Sequence, residues 1–181
     1  MMLRAKTIEF QKSGLLVVLA TISCFGSMPI AVAKELPNTL SALVGSWRGN
    51  GTARARSAGD QEDVSCKARY TDVEADEALR VEVTCAALNA KGTMVGFIQY
   101  GGGTTDVDGN WYQTWSTSEG EEHGTFSGTL TSNSVRLNVS AAGTLRARLT
   151  MNVTGANSHT VTVTGIVDGK EEQGMNVTFR R

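Results

Sequence analysis

From Val44 to the C-terminal residue, the chain alternates apolar and polar side chains with a period of two. Successive side chains of a β-strand point to opposite faces of a sheet, so this period is typical of strands with one buried and one solvated face. The pattern recurs in about ten short segments rich in threonine and valine, as a pleated, half-buried surface favours. It predicts an all-β, antiparallel domain.

Short connections rich in glycine, asparagine, aspartate and serine join these segments. Among them, Asp108-Gly109 and Asp168-Gly169 suit the positive backbone dihedrals of tight hairpin turns. Because every connection is short, we expect neighbours in sequence to be neighbours in the sheet. An open sheet of about ten strands would expose two edges and an apolar face, so the sequence predicts an up-and-down meander closed into a barrel.

Residues 1–33 have the features of an export signal. The basic residues Arg4, Lys6 and Lys12 precede the apolar stretch Gly14–Phe25, and Ala31–Ala33 places small residues where a signal peptidase reads them. We therefore expect a periplasmic or secreted protein that is soluble after cleavage. Its single domain would cover residues 34–181, a length that suits one domain.

Two other interpretations of this N-terminal segment are open. A transmembrane anchor needs about 20 apolar residues, and the small-residue cleavage site argues against it. A lipoprotein signal would modify Cys24, which follows an apolar run, although Thr21 stands where leucine is usual.

Two cysteines, Cys66 and Cys85, remain after the predicted cleavage, and in an exported chain such a pair indicates a disulfide. The alternation of Val64–Tyr70 and of Leu79–Cys85 places both sulfurs on the apolar faces of consecutive strands. Closing the loop of about 18 residues between them would contribute about 3 kcal/mol to stability. A pair of free buried thiols, or a metal site, is the less favoured alternative.

The first predicted strand opens with Gly45-Ser46-Trp47, just after a short helical turn. This opening resembles that of lipocalins and other calycin-type barrels, in which the tryptophan sits at the closed end. The resemblance implies a structural Trp47 on the barrel floor and an arginine near the chain end, Arg180 or Arg181, packed on its ring. Most lipocalins have about eight strands, fewer than the pattern predicts here.

The chain is also similar to lipocalin-like inhibitors of secreted metalloproteases in proteobacteria, which share the early tryptophan and the disulfide spacing. Those inhibitors act through an N-terminal tail inserted into the protease cleft. The corresponding tail here would be Lys34–Thr39, which contains Pro37. This resemblance implies a protein partner rather than a small ligand.

An aromatic cluster is the best candidate for a binding site. Trp111, Gln113 and Trp115 share one face of a predicted strand, and Phe126 lies between glycines on the next. Flat rings beside glycines can leave a cavity with aromatic walls and one polar group, the usual composition of a small-molecule site. The alternative, which we favour slightly, is a filled core whose glycines let the strands bend, since small barrels commonly fill themselves with side chains.

Catalytic and metal sites have little support in the sequence. His123 follows the acidic stretch Glu119–Glu122, His159 sits in or beside a turn, and no activated nucleophile is visible. Asp106–Asn110 alternates oxygen-bearing residues as a calcium loop does, but the loop glycine and the closing glutamate are missing. We expect no enzymatic activity, no metal and no cofactor.

The net charge of −1 offers no basic stripe for nucleic acid. The sequence therefore predicts an exported binding protein. Its partner is a small apolar ligand held as in lipocalins, or another protein, as for a secreted-protease inhibitor. A structural role in the cell envelope is a third possibility.

The export prediction specifies the first residue of the mature protein. N-terminal sequencing of protein isolated after export should give Lys34, because cleavage follows Ala33. A lipid-modified Cys24 at that terminus would instead contradict the prediction of a soluble protein.

Overall fold

The computed structural model describes residues 35–54, 60–88, 90–101, 105–116, 120–167 and 169–181. The predicted signal segment and its cleavage site lie outside these ranges. The first half contains α1 (Asn38–Ser41), β1 (Gly45–Arg54), β2 (Gln61–Val73), a 3-10 turn (Glu74–Asp76), β3 (Ala78–Ala86), β4 (Lys91–Tyr100) and β5 (Asp106–Trp115). The second half contains β6 (Glu121–Leu130), β7 (Ser134–Ala141), β8 (Thr144–Gly155), β9 (Ser158–Val167) and β10 (Lys170–Arg180).

The ten strands form one closed antiparallel barrel. Each strand pairs with its neighbour in sequence, and β1 also pairs with β10, with Gly49 opposite Phe179. The predicted meander and its closure are therefore confirmed. The connection from β7 to β8 is a tight turn at Ala142 and Gly143, whose φ angles of 48° and 75° match the hairpin turns that suit strand twist.

One predicted hairpin turn is wrong. Asp108 and Gly109 lie inside β5, where Gly109 is opposite Ile98 of β4. A Cβ atom at Gly109 would overlap the carbonyl oxygen of Phe97. The glycine is thus required by the close approach of two backbones rather than by a turn. The Asp106–Asn110 stretch, considered above as a calcium loop, also belongs to this strand.

The disulfide between Cys66 and Cys85 is present, as predicted. The two residues are direct cross-strand partners on β2 and β3, and Cys66 is buried inside the barrel. The bond ties two neighbouring strands together and restricts the unfolded chain, which is the source of its stabilising effect in the chain-entropy model.

The floor of the barrel, the end that α1 covers, is built around Trp47, which is buried. Its indole Nε1 donates a hydrogen bond to the carbonyl oxygen of Leu43, at 2.7 Å. The guanidinium of Arg181 lies over the indole, 4.1 Å from the ring centroid, and donates to the carbonyl oxygen of Ala42 at 2.6 Å. A cation over an aromatic face is attracted by the ring quadrupole, so Arg181 is the arginine that the lipocalin resemblance implied.

His159 also belongs to this floor. It is the second residue of β9, beside the turn as expected, and its side chain points inward and is completely buried. The ring meets Trp47 edge-on at 4.4 Å and stacks on Phe179 at 4.9 Å. Its Nε2 lies 3.1 Å from the hydroxyl of Tyr70. Four ring systems therefore fill this end of the barrel.

A glycine makes this packing possible. A Cβ atom at Gly49 would lie 2.7 Å from the ring of Phe179, closer than real Cβ contacts allow. The absence of a side chain at Gly49 therefore leaves the space in which Phe179 stacks on His159.

We predict that Trp47→Ala lowers the free energy of unfolding by about 3–5 kcal/mol, because it opens a cavity in the floor and removes the ring under Arg181. Urea unfolding of the two proteins measures the difference. Trp115→Ala is the matched control, since Trp115 is 42% exposed, and should cost clearly less. A Trp47→Ala effect below about 1 kcal/mol would contradict a structural role for this residue.

The floor also predicts a pH dependence of stability. Burial, together with the nearby positive charge of Arg181, lowers the pKa of His159 to about 4. The unfolded histidine has a pKa of about 6.5. The stability that the folded protein gains from a neutral, buried His159 is therefore complete above pH 6.5, and it is lost as the pH falls toward 4. The size of this loss is about 3 kcal/mol.

The measurement is urea unfolding of the wild type and of His159→Gln, each between pH 4 and 7.5. Carboxylates titrate in both proteins, so their effect cancels in the difference. The gap in stability between the two proteins should narrow as the pH falls. Parallel curves would show that His159 takes up its proton as readily in the folded state as in the unfolded chain.

Candidate functional site

The interior of the barrel beyond the floor is not filled. It contains a cavity of about 330 Å³, within the range of about 300–1,000 Å³ that is typical of small-molecule sites. The slightly favoured expectation of a core filled throughout is therefore wrong for this half of the barrel, although it holds at the floor.

All four residues of the predicted aromatic site line this cavity. Trp111 and Phe126 are buried, with ring centroids 6.5 Å apart and ring planes inclined by 32°. Trp115 ends β5 and is partly exposed. Gln113 is half-buried, and its Nε2 donates to Glu122 Oε2 at 2.7 Å. The four side chains thus share one wall, and their role in ligand binding stays a prediction.

Glycines of neighbouring strands let these rings lie close against the wall. Each ring lies over a glycine of another strand: Trp111 over Gly124, Trp115 over Gly92 and Phe126 over Gly96. Cβ atoms at these glycines would come within 2.5–2.7 Å of the ring atoms. The rings occupy the space that side chains at these glycines would take. They therefore lie along the wall and do not fill the centre of the barrel.

The rest of the wall is mainly aliphatic and sulfur-containing. It includes Val64, Val81, Val83, Cys85, Met94, Leu137, Val139, Leu149, Met151, Val163 and Met175. The alternation in the sequence identifies most of these residues as inward-facing, but it does not distinguish a cavity wall from a filled core. Methionine side chains are flexible and polarisable, so this wall can adapt to ligands of different shape.

Polar residues surround the cavity at the end opposite the floor. They are Arg54, Glu62, Gln113, Glu122 and Arg146. Arg54 forms an ion pair with Glu172, with 2.8 Å between Nη1 and Oε2. An apolar interior with a polar rim suits a ligand that is mostly apolar and carries a polar end.

Two N–H groups on residues that line the cavity are buried without a hydrogen-bond partner among the described residues. They are Trp111 Nε1 and Arg54 Nε. Leaving a buried donor unpaired costs about 1–3 kcal/mol. Both groups are donors, so an oxygen acceptor would satisfy either one.

The other sequence candidates lie apart from this site. His123 is exposed on β6, 3.8 Å from Glu121, and its ring centroid is 6.3 Å from that of Tyr112 on the outer surface. Glu119 lies outside the described residues. No group of three or more metal-ligating side chains occurs in the described part of the chain, and no helix there is long and apolar enough to cross a membrane.

The N-terminal tail expected of a protease inhibitor is only partly available. Lys34 lies outside the described ranges. Thr39 is buried in α1, and its hydroxyl donates to the carbonyl oxygen of Thr131 at 2.5 Å. Leu36 packs against the core. The described end of the predicted tail is therefore part of the floor and does not project from the barrel.

No protein-family model matches the chain, and no curated protein matches it. Among solved structures, the crystal structure of Rv2717c from M. tuberculosis is similar, with a TM-score of 0.58 and 12% identity over 83% of this chain and 99% of that one. The S-type phycobiliprotein lyase CPES from Guillardia theta gives a TM-score of 0.44 and 14% identity over 78% and 89%. The similarity to Rv2717c shows a similar fold and nothing more. The TM-score of the phycobiliprotein lyase is too low to support any inference.

Proposed function

We propose that the barrel binds a small, mainly apolar molecule in its interior, as a carrier or sensor. The observation that supports this most directly is the cavity of about 330 Å³ with its apolar wall. An apolar cavity of about 150 Å³ in another protein already takes up benzene. The interior of this barrel is about twice as large, so it has room for a ligand of two or three fused or linked rings.

The composition of the wall supports an aromatic or aliphatic ligand. Trp111 and Phe126 offer ring faces and edges, and pairs of aromatic rings gain about 0.5–1.5 kcal/mol beyond the burial of their surface. Transfer of apolar surface from water into such a site contributes about 25 cal/mol per Å². Both terms favour a molecule that is poorly soluble in water.

We propose that the ligand is bound and not converted, as expected from the sequence. The polar groups near the cavity are engaged in pairs that suit a rim: Arg54 with Glu172, and Gln113 with Glu122. The remaining rim charges, Glu62 and Arg146, can orient a polar end of the ligand. A function based on an inserted N-terminal tail is less well supported, because Thr39 is fixed in the floor.

The test is a fluorescence titration with the uncharged probe N-phenyl-1-naphthylamine. Ala147 lines the cavity and lies opposite Gly165 on the neighbouring strand, so Ala147→Phe would place a ring inside the cavity. We expect saturable binding by the wild type and at least a tenfold weaker affinity in this variant. Asn138→Phe is the control, since Asn138 is exposed on the outer surface of β7.

The control variant should bind the probe within about twofold of the wild type. Circular dichroism and urea unfolding identify any variant that loses affinity because it does not fold. Absence of saturable binding by the wild type, or an equal loss in both variants, would contradict a binding site inside the barrel.

A further inference from the structure

A cluster of cations lies on the outer surface of the barrel wall, outside the cavity. We name it the basic patch and define it as Arg48, Lys67, Arg69 and Arg180, all of which are exposed. These residues come from β1, β2 and β10, so they are far apart in the sequence. The net charge of the chain does not reveal this cluster, because only the strand register brings the four side chains together.

The register places like charges directly opposite one another. Arg48 is the cross-strand partner of Arg180 on one side and of Lys67 on the other. Arg69 lies two residues further along β2, on the same face. Like charges in directly opposite positions destabilise a sheet, so the folded barrel has an unfavourable interaction here that an anionic partner would relieve.

The cations of the basic patch are not neutralised within the barrel. None of the four forms an ion pair with a described residue. The acidic neighbour Glu82, opposite Arg69, lies 3.0 Å from Arg80 instead. The patch therefore presents net positive charge to the solvent, although the chain as a whole carries a net charge of −1.

The basic patch extends in two directions over the outer wall, which suits a partner that presents an array of negative charges. Its charges lie on three neighbouring strands, which are about 4.8 Å apart. Along β2, Lys67 and Arg69 are separated by about 6.8 Å. Between them lie small residues, Ser46 and Ser65, so the long basic side chains are the outermost groups. Single-stranded nucleic acid would instead favour exposed aromatic side chains, and the large exposed apolar residues described, Leu88, Tyr112 and Trp115, belong to other strands or connections.

We propose that the basic patch docks the barrel on the anionic headgroups of a phospholipid bilayer. Basic residues near an anionic membrane each contribute about 1 kcal/mol, which is about a fivefold change in partitioning. A barrel held in this way would exchange poorly soluble molecules with the membrane that dissolves them. The docking itself does not depend on the proposed ligand site, since the patch and the cavity lie on opposite faces of the wall.

The experiment is co-sedimentation of the full chain with vesicles of phosphatidylcholine alone or of an equimolar mixture with phosphatidylglycerol. The double variant Arg48→Gln, Lys67→Gln should bind the mixed vesicles about 25-fold more weakly than the wild type. The control, Arg136→Gln with Lys170→Gln, removes the same net charge from exposed positions elsewhere on the barrel and should change binding by no more than about twofold. Any binding through other segments is common to all variants and cancels.

Two further results would support the proposal. Binding of the wild type should fall steeply between about 0.02 M and 0.5 M salt, as screening shortens the range of the charges. The patch variant should melt no lower than the wild type, because it removes a repulsion, which shows that weaker binding does not come from unfolding.

Other results would overturn it. Equal losses in the two double variants would show that only the total charge matters. Equal binding of the wild type to neutral and mixed vesicles would exclude the anionic headgroups as the partner. Tighter binding to duplex DNA than to mixed vesicles at the same salt, lost in the patch variant, would assign the basic patch to nucleic acid.

Discussion

The pairing of β1 with β10 closes ten strands into one ring, and this closure determines the width of the interior. The diameter of a barrel grows with the number of strands, and about eight strands give an interior that side chains can just fill. With ten strands, inward side chains of ordinary size leave space near the axis. Aromatic rings that pack on one another fill this space at the floor, whereas the described residues of the other half leave a cavity.

The two halves of the interior differ in how aromatic rings are oriented. At the floor, Trp47, His159 and Phe179 pack edge-on and stacked, so they close the barrel. In the other half, Trp111 and Phe126 lie over glycines and stay on the wall. Rings lie against glycines in both halves, since Phe179 at the floor packs over Gly49, so the two halves differ in whether rings pack on one another across the interior.

The sequence predicted the features that depend on alternation: the meander, the closed barrel and the pairing of Cys66 with Cys85. It did not reveal features that depend on strand register or on how side chains fill the interior of the barrel. Gly109 has the sequence of a turn but is needed for backbone approach. Trp111 and Phe126 were placed on an inward face, yet whether inward rings fill or line a barrel depends on how they pack against side chains of other strands. The basic patch arises only when β10, β1 and β2 lie side by side.

The contact between Arg181 and Ala42 joins residues 139 positions apart. Until β10 is available, β1 has an unpaired edge and the floor lacks both Phe179 and the guanidinium above Trp47. Contacts of such long sequence separation slow folding, and unpaired edges invite association with other chains. The order of synthesis therefore leaves the first strand of the barrel without its second neighbour until almost the whole domain has been made.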